Sequence, residues 1–194
     1  MLDADLSYTN RIGYNNWSRT VFNNYCVVKT SFNVRKSIAD NWHKWFNLKE
    51  LGYKRTRKNL LCYLANHTLP SSTYGHLAQP HLKSTLQEIW DRHPEIMEGV
   101  SSHKFRSDDG LNPWLLCTWN QAKGSFYPAH RNRLGQNFSI QPSVINQICD
   151  IVKGGVIPQI CLNDTQRNTD FDNSTKAIVA ACETLLPTKS MFEK

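Results

Sequence analysis

The residue types that phosphate chemistry needs are concentrated in one short segment, SSHKFRSDDG, at positions 101–110. The segment contains three basic side chains and two carboxylates: His103, Lys104, Arg106, Asp108 and Asp109. The pattern that follows predicts that Ser107 is the N-cap of a helix whose first turn holds both aspartates, where carboxylates suit the helix dipole. An arginine just before such a helix stands beside free backbone N–H donors, and together they could bind a phosphate or pyrophosphate. An ordinary surface ion pair is the alternative.

Two further segments carry polar residues where ligands commonly bind. In GHLAQPH, His76 and His81 lie in and beside a loop containing Gly and Pro, so either could be a general base or a phosphate ligand. A structural or solvent-exposed histidine is the alternative. In ICLND, Asn163 and Asp164 follow directly on an apolar strand. Polar residues at the carboxyl end of a strand in an α/β fold tend to bind ligands or metal ions, although they can also cap a turn.

Hydrophobic periodicity predicts the helices that must position these residues. Apolar residues recur at helical spacing from Val34 to about Leu51–Gly52, and the aromatic ones form either a core stripe or a binding platform. A second helix is predicted from Pro80 to about His93, where Pro94 stops or kinks it before a further turn. The first thirty residues show no clean period, which indicates loops with one short helix or strand.

The last third of the chain shows short strands between helices. Residues 125–140 are typical of strands and turns, PSVINQICDIVKGG predicts a helix closed by glycine, and VIPQICL predicts a buried strand. A last helix is expected to be capped by Asn173 or Ser174 and stopped by Pro187. Helices with a few short strands fit an α/β arrangement, or a mixed α+β one, that is mostly helical.

Composition restricts the class of protein and of partner. The chain has 194 residues, 40% of them hydrophobic, which is enough for the core of one domain. Its formal net charge of +7 favours attraction to phosphates, acidic polymers or an anionic membrane surface. The basic run at 54–58 either takes part in that attraction or is a solvated face. With no apolar run of about 18 residues, no secretory signal and scattered cysteines, we expect a cytoplasmic protein with reduced thiols.

Several of these segments together resemble the Stealth proteins. GHLAQPH, the helix LKSTLQEIWDRHPEIMEG and the HKFRSDD after it are similar to the third conserved region of that family, and CLND with the last helix and MFEK is similar to the fourth. The family includes bacterial capsular polysaccharide hexose-1-phosphate transferases and the N-acetylglucosamine-1-phosphotransferase alpha/beta subunit. The resemblance divides the chain into a helical segment at 1–73, expected to be part of the same domain, and the conserved regions at 74–194.

The resemblance implies transfer of a sugar 1-phosphate from a UDP-hexose, such as a UDP-N-acetylhexosamine, to a hydroxyl of a growing capsular or exopolysaccharide, with release of UMP. It implies His76 as the catalytic histidine, either base or transition-state partner, and Arg106 as the clamp on the phosphate charge. His81 is the less favoured histidine. His103 and Lys104 are further candidates for contact with the substrate phosphate.

The same resemblance implies a divalent cation, Mg²⁺ or Mn²⁺. Asn163 and Asp164 match the last polar motif of the family and are candidates for contact with the diphosphate or the cation, with Asp164 the candidate metal ligand. Phosphoryl transfer needs positioning, charge neutralisation and removal of a proton from the attacking hydroxyl, and a histidine, an arginine and a metal-binding group supply these.

One departure from the family concerns its first two conserved regions. The Tyr-Thr-Trp-Val-Asp-Gly type motif and the Asp-Asn-x-Glu-Leu-Arg type segment have no counterpart here. We therefore expect this chain to be the carboxyl-terminal half of a bacterial Stealth enzyme that needs the missing amino-terminal half as a partner, beside the UDP-sugar and the glycan acceptor. The expected location is the cytoplasm, with peripheral association at the inner membrane as a further expectation.

Two other function classes lead to different expectations. A noncatalytic module that binds anionic polysaccharide or phosphate would need Arg106 and the basic run but not His76. A nucleic-acid binder is disfavoured, because the basic run comes without an RNP, KH, zinc-finger or helix-turn-helix signature. We therefore expect no nucleic-acid partner.

Overall fold

The structure, a computed structural model, describes residues 16–66, 77–129, 135–164 and 170–192. The described chain is mostly helical and contains one two-stranded parallel sheet, which confirms the predicted fold class. In chain order its elements are α1 (Asn16–Ser31), α2 (Val34–Asp40), α3 (Trp42–Trp45), α4 (Leu48–Asn66), α5 (Lys83–Arg92), α6 (Pro94–Ser102), α7 (Trp114–Lys123), β1 (Gln136–Ser139), a 3₁₀ turn (Pro142–Val144), α8 (Ile145–Gly154), β2 (Ile160–Asn163) and α9 (Phe171–Leu185).

The chain folds into two compact units. Among the described residues, the first unit comprises 16–66 and 80–128, and the second comprises 77–79, 129, 135–164 and 170–192. None of the described helices combines the length and the apolar character that crossing a bilayer requires.

The core of the first unit is formed where α1, α2, α5 and α7 meet. Each contributes a side chain that is almost completely buried, namely Val28, Ile38, Ile89 and Trp119. The Trp119 ring packs edge-on against Phe32, with the ring centroids 4.8 Å apart. Large rings in such a geometry contribute beyond their buried area, so Trp119 is a central packing residue of this unit.

Helix α1 contradicts the prediction that the first thirty residues are loops with one short helix or strand. It is a helix of 16 residues. The apolar periodicity expected of a helix is hidden, because Thr20 and Asn24 are buried together with Val27 and Val28 and the inner face of α1 is therefore partly polar. A pattern of apolar residues alone cannot identify such a helix.

The single helix predicted from Val34 to about Leu51–Gly52 is wrong, because the segment forms α2, α3 and the start of α4, although α4 does kink at the predicted end, where Gly52 has a φ of 74°. Two asparagines account for the breaks. The Asn41 side chain donates to the Ser37 carbonyl at 3.0 Å, and the Asn47 side chain accepts from the Glu50 N–H at 3.1 Å. Such bonds compete with helix continuation. Within the aromatic stripe, Trp45 is buried in the core and Phe46 packs against it, whereas Trp42 is 48% exposed.

The predicted stop at Pro94 and the further turn after it are confirmed, whereas the helix before it begins at Lys83 and not at Pro80. Helix α5 ends at Arg92, and Pro94 occupies the first turn of α6, where its missing N–H costs no helical hydrogen bond. These two helices lead directly to the segment that contains Arg106.

The second unit contains a β–α–β arrangement followed by α9. Strands β1 and β2 are parallel, with Gln136 opposite Ile160 and Ser139 opposite Asn163. Helices α8 and α9 pack through side chains that include Ile148 and Ala181, both completely buried. The VIPQICL strand and the glycine-closed helix are therefore confirmed, although β2 is half-buried rather than buried.

The start of α9 differs from the prediction of a cap at Asn173 or Ser174. The helix begins at Phe171, and both residues lie inside its first turn. The Asn173 side chain instead donates to the Asp170 carboxylate at 2.7 Å. The helix ends at Leu185, ahead of Pro187, as predicted.

Gly124 terminates α7 in a conformation that other residues avoid. Its φ is 80°, and a Cβ atom there would overlap the Asn41 side chain. We predict that Gly124→Ala lowers the free energy of unfolding by about 1–2 kcal/mol, because the left-handed backbone is strained for any residue with a Cβ atom. Gly99→Ala is the matched control: it lies in α6 with open space around the position and should gain up to about 1 kcal/mol. Denaturant melts that rank the two variants in the opposite order would contradict the prediction.

His93 makes the stability of the first unit depend on pH. Its Nε2 shares a hydrogen bond of 2.6 Å with Ser31 Oγ, and burial, with a contribution from the Arg92 charge, lowers its pKa below the ordinary value of 6.5. The unfolded chain therefore binds this proton more readily than the folded one, and stability falls as the pH falls below that ordinary value. We predict that the melting temperature decreases between about pH 7 and pH 5, and that it decreases less in His93→Gln. Parallel curves for the two proteins would show that His93 is not responsible.

Candidate functional site

The loop between α6 and α7, residues 103–113, contains the basic cluster. The prediction that Ser107 caps a helix with Asp108 and Asp109 in its first turn is wrong: these residues form a tight turn closed by the Gly110 N–H and the Ser107 carbonyl, 3.1 Å apart. Helix α7 begins only at Trp114, whose N–H donates to the Asn112 side chain at 3.1 Å. Arg106 therefore does not stand beside a free helix amino terminus.

Both carboxylates of the turn are engaged by neighbouring basic side chains. Asp108 forms an ion pair with Arg19 of α1. The Asp109 carboxylate lies 3.0 Å from His103 Nε2, and hydrogen bonds from Ser107 and then from His103 lower the pKa of Asp109. The aspartates thus stabilise the turn through side-chain contacts and not through a helix dipole.

Arg106 is exposed, and among the described residues its guanidinium has no hydrogen-bond or ion-pair partner. The neighbouring Lys104 ammonium lies 5.6 Å from the centroid of the Phe105 ring, which is 78% exposed. A planar guanidinium that is free of carboxylates can donate two parallel hydrogen bonds to phosphate oxygens. The loop therefore presents two cations and one apolar ring to solvent.

Helix α1 binds the backbone of this loop through amide side chains. The Asn23 side chain donates to the carbonyls of Asp108 and Gly110, at 2.8 and 3.0 Å. The Asn24 side chain donates to the Asn112 side chain at 2.7 Å and accepts from the Asn112 N–H at 3.3 Å. These residues were missed in the sequence, because a pair of asparagines inside a helix gives no recognisable motif.

Asn163 and Asp164 lie at the carboxyl end of β2, in the second unit. Because the strands are parallel, Ser139 at the end of β1 lies at the same edge, opposite Asn163. Asp164 is exposed and immediately follows the strand. Over the described residues, no group of three or more His, Cys, Asp or Glu side chains is close enough to hold a metal ion. Asp164 and Asn163 could supply at most two protein ligands, which suits a cation also bound by phosphate oxygens and water.

The two candidate histidines differ in how far the structure describes them. His81 is exposed, two residues before α5. His76 lies outside the described residues, so its catalytic role stays a prediction. The structure brings together His103, Asp109 and the loop around Arg106.

Part of the first unit matches a known family. Residues 75–123 match the model of Stealth protein conserved region 3. The match begins just before His76, includes α5 and α6, and continues through Arg106 to the last residue of α7.

The chain is similar over most of its length to curated proteins that are named polysaccharide phosphotransferases. It is 30% identical over 173 residues to the capsular polysaccharide phosphotransferase WcwK of Streptococcus pneumoniae, covering 89% of this chain and 51% of the relative. It is 31% identical over 166 residues to the receptor polysaccharide phosphotransferase WefC of Streptococcus gordonii, covering 86% and 48%. It is 24% identical over 178 residues to the exopolysaccharide phosphotransferase cps2G of Lactiplantibacillus plantarum, covering 89% and 50%.

The chain spans about half the length of the curated relatives it matches. No solved structure is significantly similar to it. The match to the conserved region and the polysaccharide phosphotransferases among its relatives together confirm the resemblance seen in the sequence: the chain is similar to the Stealth proteins, and residues 75–123 match conserved region 3 of that family.

Proposed function

We propose that this chain takes part in transferring a hexose 1-phosphate from a UDP-hexose to a hydroxyl of a growing capsular or exopolysaccharide, with release of UMP. The observation that carries the proposal is the exposed Arg106 guanidinium, which lies within the matched conserved region and has no partner among the described residues. The names of the relatives, all polysaccharide phosphotransferases, support the substrate class.

In this reaction the acceptor hydroxyl attacks the phosphorus that carries the sugar. A new P–O bond forms to the acceptor, the bond to the bridging oxygen breaks, and that oxygen leaves with UMP. The hydroxyl proton passes to a base, which is His76 in our proposal. Negative charge stays on the phosphoryl oxygens in the transition state, and the planar fork of Arg106 would bind two of them. Lys104 would add positive charge beside the same group, and His103 is a further proposed contact of the phosphate.

We propose Asp164 and Asn163 as the protein ligands of a Mg²⁺ or Mn²⁺ ion. Magnesium commonly binds through one or two carboxylates together with substrate phosphates, so a site with few protein ligands fits this cation. When bound, the ion would neutralise charge on the diphosphate. Asp164 is exposed and ready for such contact, and Asn163 is held in register by the sheet.

The proposed donor and acceptor also suggest where the protein works. Nucleotide sugars are cytoplasmic metabolites, so we propose a cytoplasmic reaction, with the acceptor polysaccharide presented at the inner membrane. The predicted need for the first two conserved regions belongs to the same proposal, and so turnover is measured on the chain supplied with those regions from a Stealth relative.

A noncatalytic module for anionic polysaccharide or phosphate is the second candidate, favoured by exposed cations outside the Arg106 loop. Lys54 and Arg57 are exposed on α4. The two functions differ at His76: a binding module would keep its affinity for polyphosphate in His76→Ala and would show no turnover with any amino-terminal partner. A transferase would lose turnover in that variant.

We predict that the protein supplied with the amino-terminal regions releases UMP, and not UDP, from a UDP-hexose when a polysaccharide acceptor is present. Attack on the sugar-bearing phosphorus leaves one phosphate on the nucleotide, whereas attack on the sugar carbon leaves two. Separation of the nucleotide products by anion-exchange chromatography distinguishes these outcomes. Release of UDP would identify an ordinary glycosyltransferase and refute the proposal.

We predict that Arg106→Lys slows turnover roughly 30-fold to 1000-fold, on the order of 2–4 kcal/mol of transition-state stabilisation, because the charge remains but the planar fork is lost. The melting temperature should hardly change, since Arg106 is exposed. Asp108→Asn is the matched control: it loses the exposed ion pair with Arg19, worth at most about 1 kcal/mol, and should keep turnover within a few-fold. Full activity in Arg106→Lys would show that this arginine does not contact the transferring phosphate.

A further inference from the structure

We propose that Asn23 of α1 is a positioning residue for Arg106, acting through the backbone of the 108–112 segment with Asn24 as its support. This inference rests on the proposed function, because it assumes that Arg106 contacts the transferred phosphate. It assigns a role in the site to a helix that lies outside the matched conserved region at 75–123.

The side-chain amide of Asn23 fits its position because it is a hydrogen-bond donor that faces two backbone carbonyls. Its side-chain amide donates one hydrogen bond to the Asp108 carbonyl at 2.8 Å and another to the Gly110 carbonyl at 3.0 Å. An amide NH₂ group has two hydrogens, so both are used on the loop backbone. An aspartate of the same shape would place an acceptor against two acceptors. Asn23 therefore holds both ends of the Asp108–Gly110 segment by two hydrogen bonds. The isosteric aspartate would replace both bonds with repulsion between oxygen atoms.

The neighbouring asparagine ties the loop to the core. Asn24 is only 2% exposed and forms three hydrogen bonds with Asn112, to its side-chain oxygen, its backbone carbonyl and its backbone N–H. The Asn112 side chain also donates to Thr20 Oγ1 at 3.0 Å and accepts from the Trp114 N–H. Buried polar groups are costly when their partners are lost, so this network admits one register of the loop on α1.

Close packing at Gly110 supports the same register. A Cβ atom at this position would lie 3.0 Å from the Ser107 carbonyl oxygen and 3.6 Å from Thr20 Cγ2. The tight contact is with the carbonyl of the turn itself, whereas the contact with Thr20 is ordinary van der Waals contact that brings the loop against α1. On the other side of Arg106, His103 reaches across the turn to Asp109.

The result is a short segment around Arg106 that is fixed on both sides while its guanidinium has no partner in the part of the chain that the structure describes. Phosphoryl transfer depends on such placement, because a displacement of about 1 Å can reduce the rate by about 100-fold. The support also comes from a regular helix, which holds a side chain more precisely than a free loop does. Asn23 is thus expected to affect turnover without touching the substrate.

The first test examines the loop itself and needs no activity. In Asn23→Asp, amide hydrogen exchange followed by mass spectrometry should become faster in peptides that cover 103–112, while peptides from α5 and α8 keep the exchange of the parent protein. Asn146→Asp, the same chemical change at an exposed position of α8, is the control and should leave all peptides unchanged. Unchanged exchange at 103–112 in Asn23→Asp would overturn the inference.

The second test couples Asn23 to Arg106 by a double-mutant cycle of UMP release. Asn23→Asp alone should reduce kcat roughly 10-fold to 100-fold, with little change in the KM for the UDP-hexose. In the Arg106→Lys background the same change should cost less than about 3-fold, because the fork it positions is already absent. A residue that only stabilises the fold would lower kcat by the same factor in both backgrounds, and that result would refute the positioning role.

If the parent protein supplied with the amino-terminal regions releases no UMP, the proposed function fails and the inference fails with it. If it releases UMP but Asn23→Asp lowers kcat by the same factor in both backgrounds, only the inference fails.

Discussion

The hydrogen-bonded pair of Asn24 and Asn112 is the interaction on which the first unit depends. It joins the buried face of α1 to the end of the Arg106 loop, and Asn112 also starts α7 by accepting from the Trp114 N–H. Helix α7 then carries Trp119 into the core. One amide side chain thus sets both the register of the loop and the first residue of a core helix. Loss of either partner would leave buried polar groups without hydrogen bonds, which costs more than the bond itself contributes.

Asparagine side chains determine several other boundaries in this chain by the same chemistry. Asn33 accepts from the Lys36 N–H at the start of α2, and Asn59, which is 2% exposed, donates to the Trp45 carbonyl at 2.7 Å. Together with Asn41 and Asn47, they divide one apolar stripe among three helices. A short amide can replace a helical hydrogen bond of the backbone, so the apolar period continues where the helix does not.

This chemistry explains which parts of the fold could be predicted from the sequence. Helices α5, α6 and α8 have apolar stripes and a Pro or Gly at a terminus, and the sequence predicts all three. Helix α1 was missed because its inner face contains Thr20 and Asn24. The segment after Arg106 was predicted as a helix start because Ser and Asp are good N-terminal residues. The structure uses them in a turn instead, since Asn112 begins the helix. The same limit applies to the candidate site. The residue types point to Arg106, but the hydrogen bonds that hold its loop against α1 are visible only in the structure.

Electrostatics explains why Arg106 is available for a ligand although two carboxylates follow it closely. Asp108 is paired with Arg19, and Asp109 with His103, so neither acid competes for the guanidinium. A lowered pKa keeps Asp109 ionised and therefore bound to its partner. Yet an exposed guanidinium in water contributes about 1 kcal/mol or less to an ion pair, which is far below what transition-state stabilisation requires. In the proposed reaction Arg106 could reach the larger value only where water is excluded, so groups beyond this loop would have to enclose the transferring phosphate. A well-positioned but solvent-exposed fork would then form only one part of the proposed site.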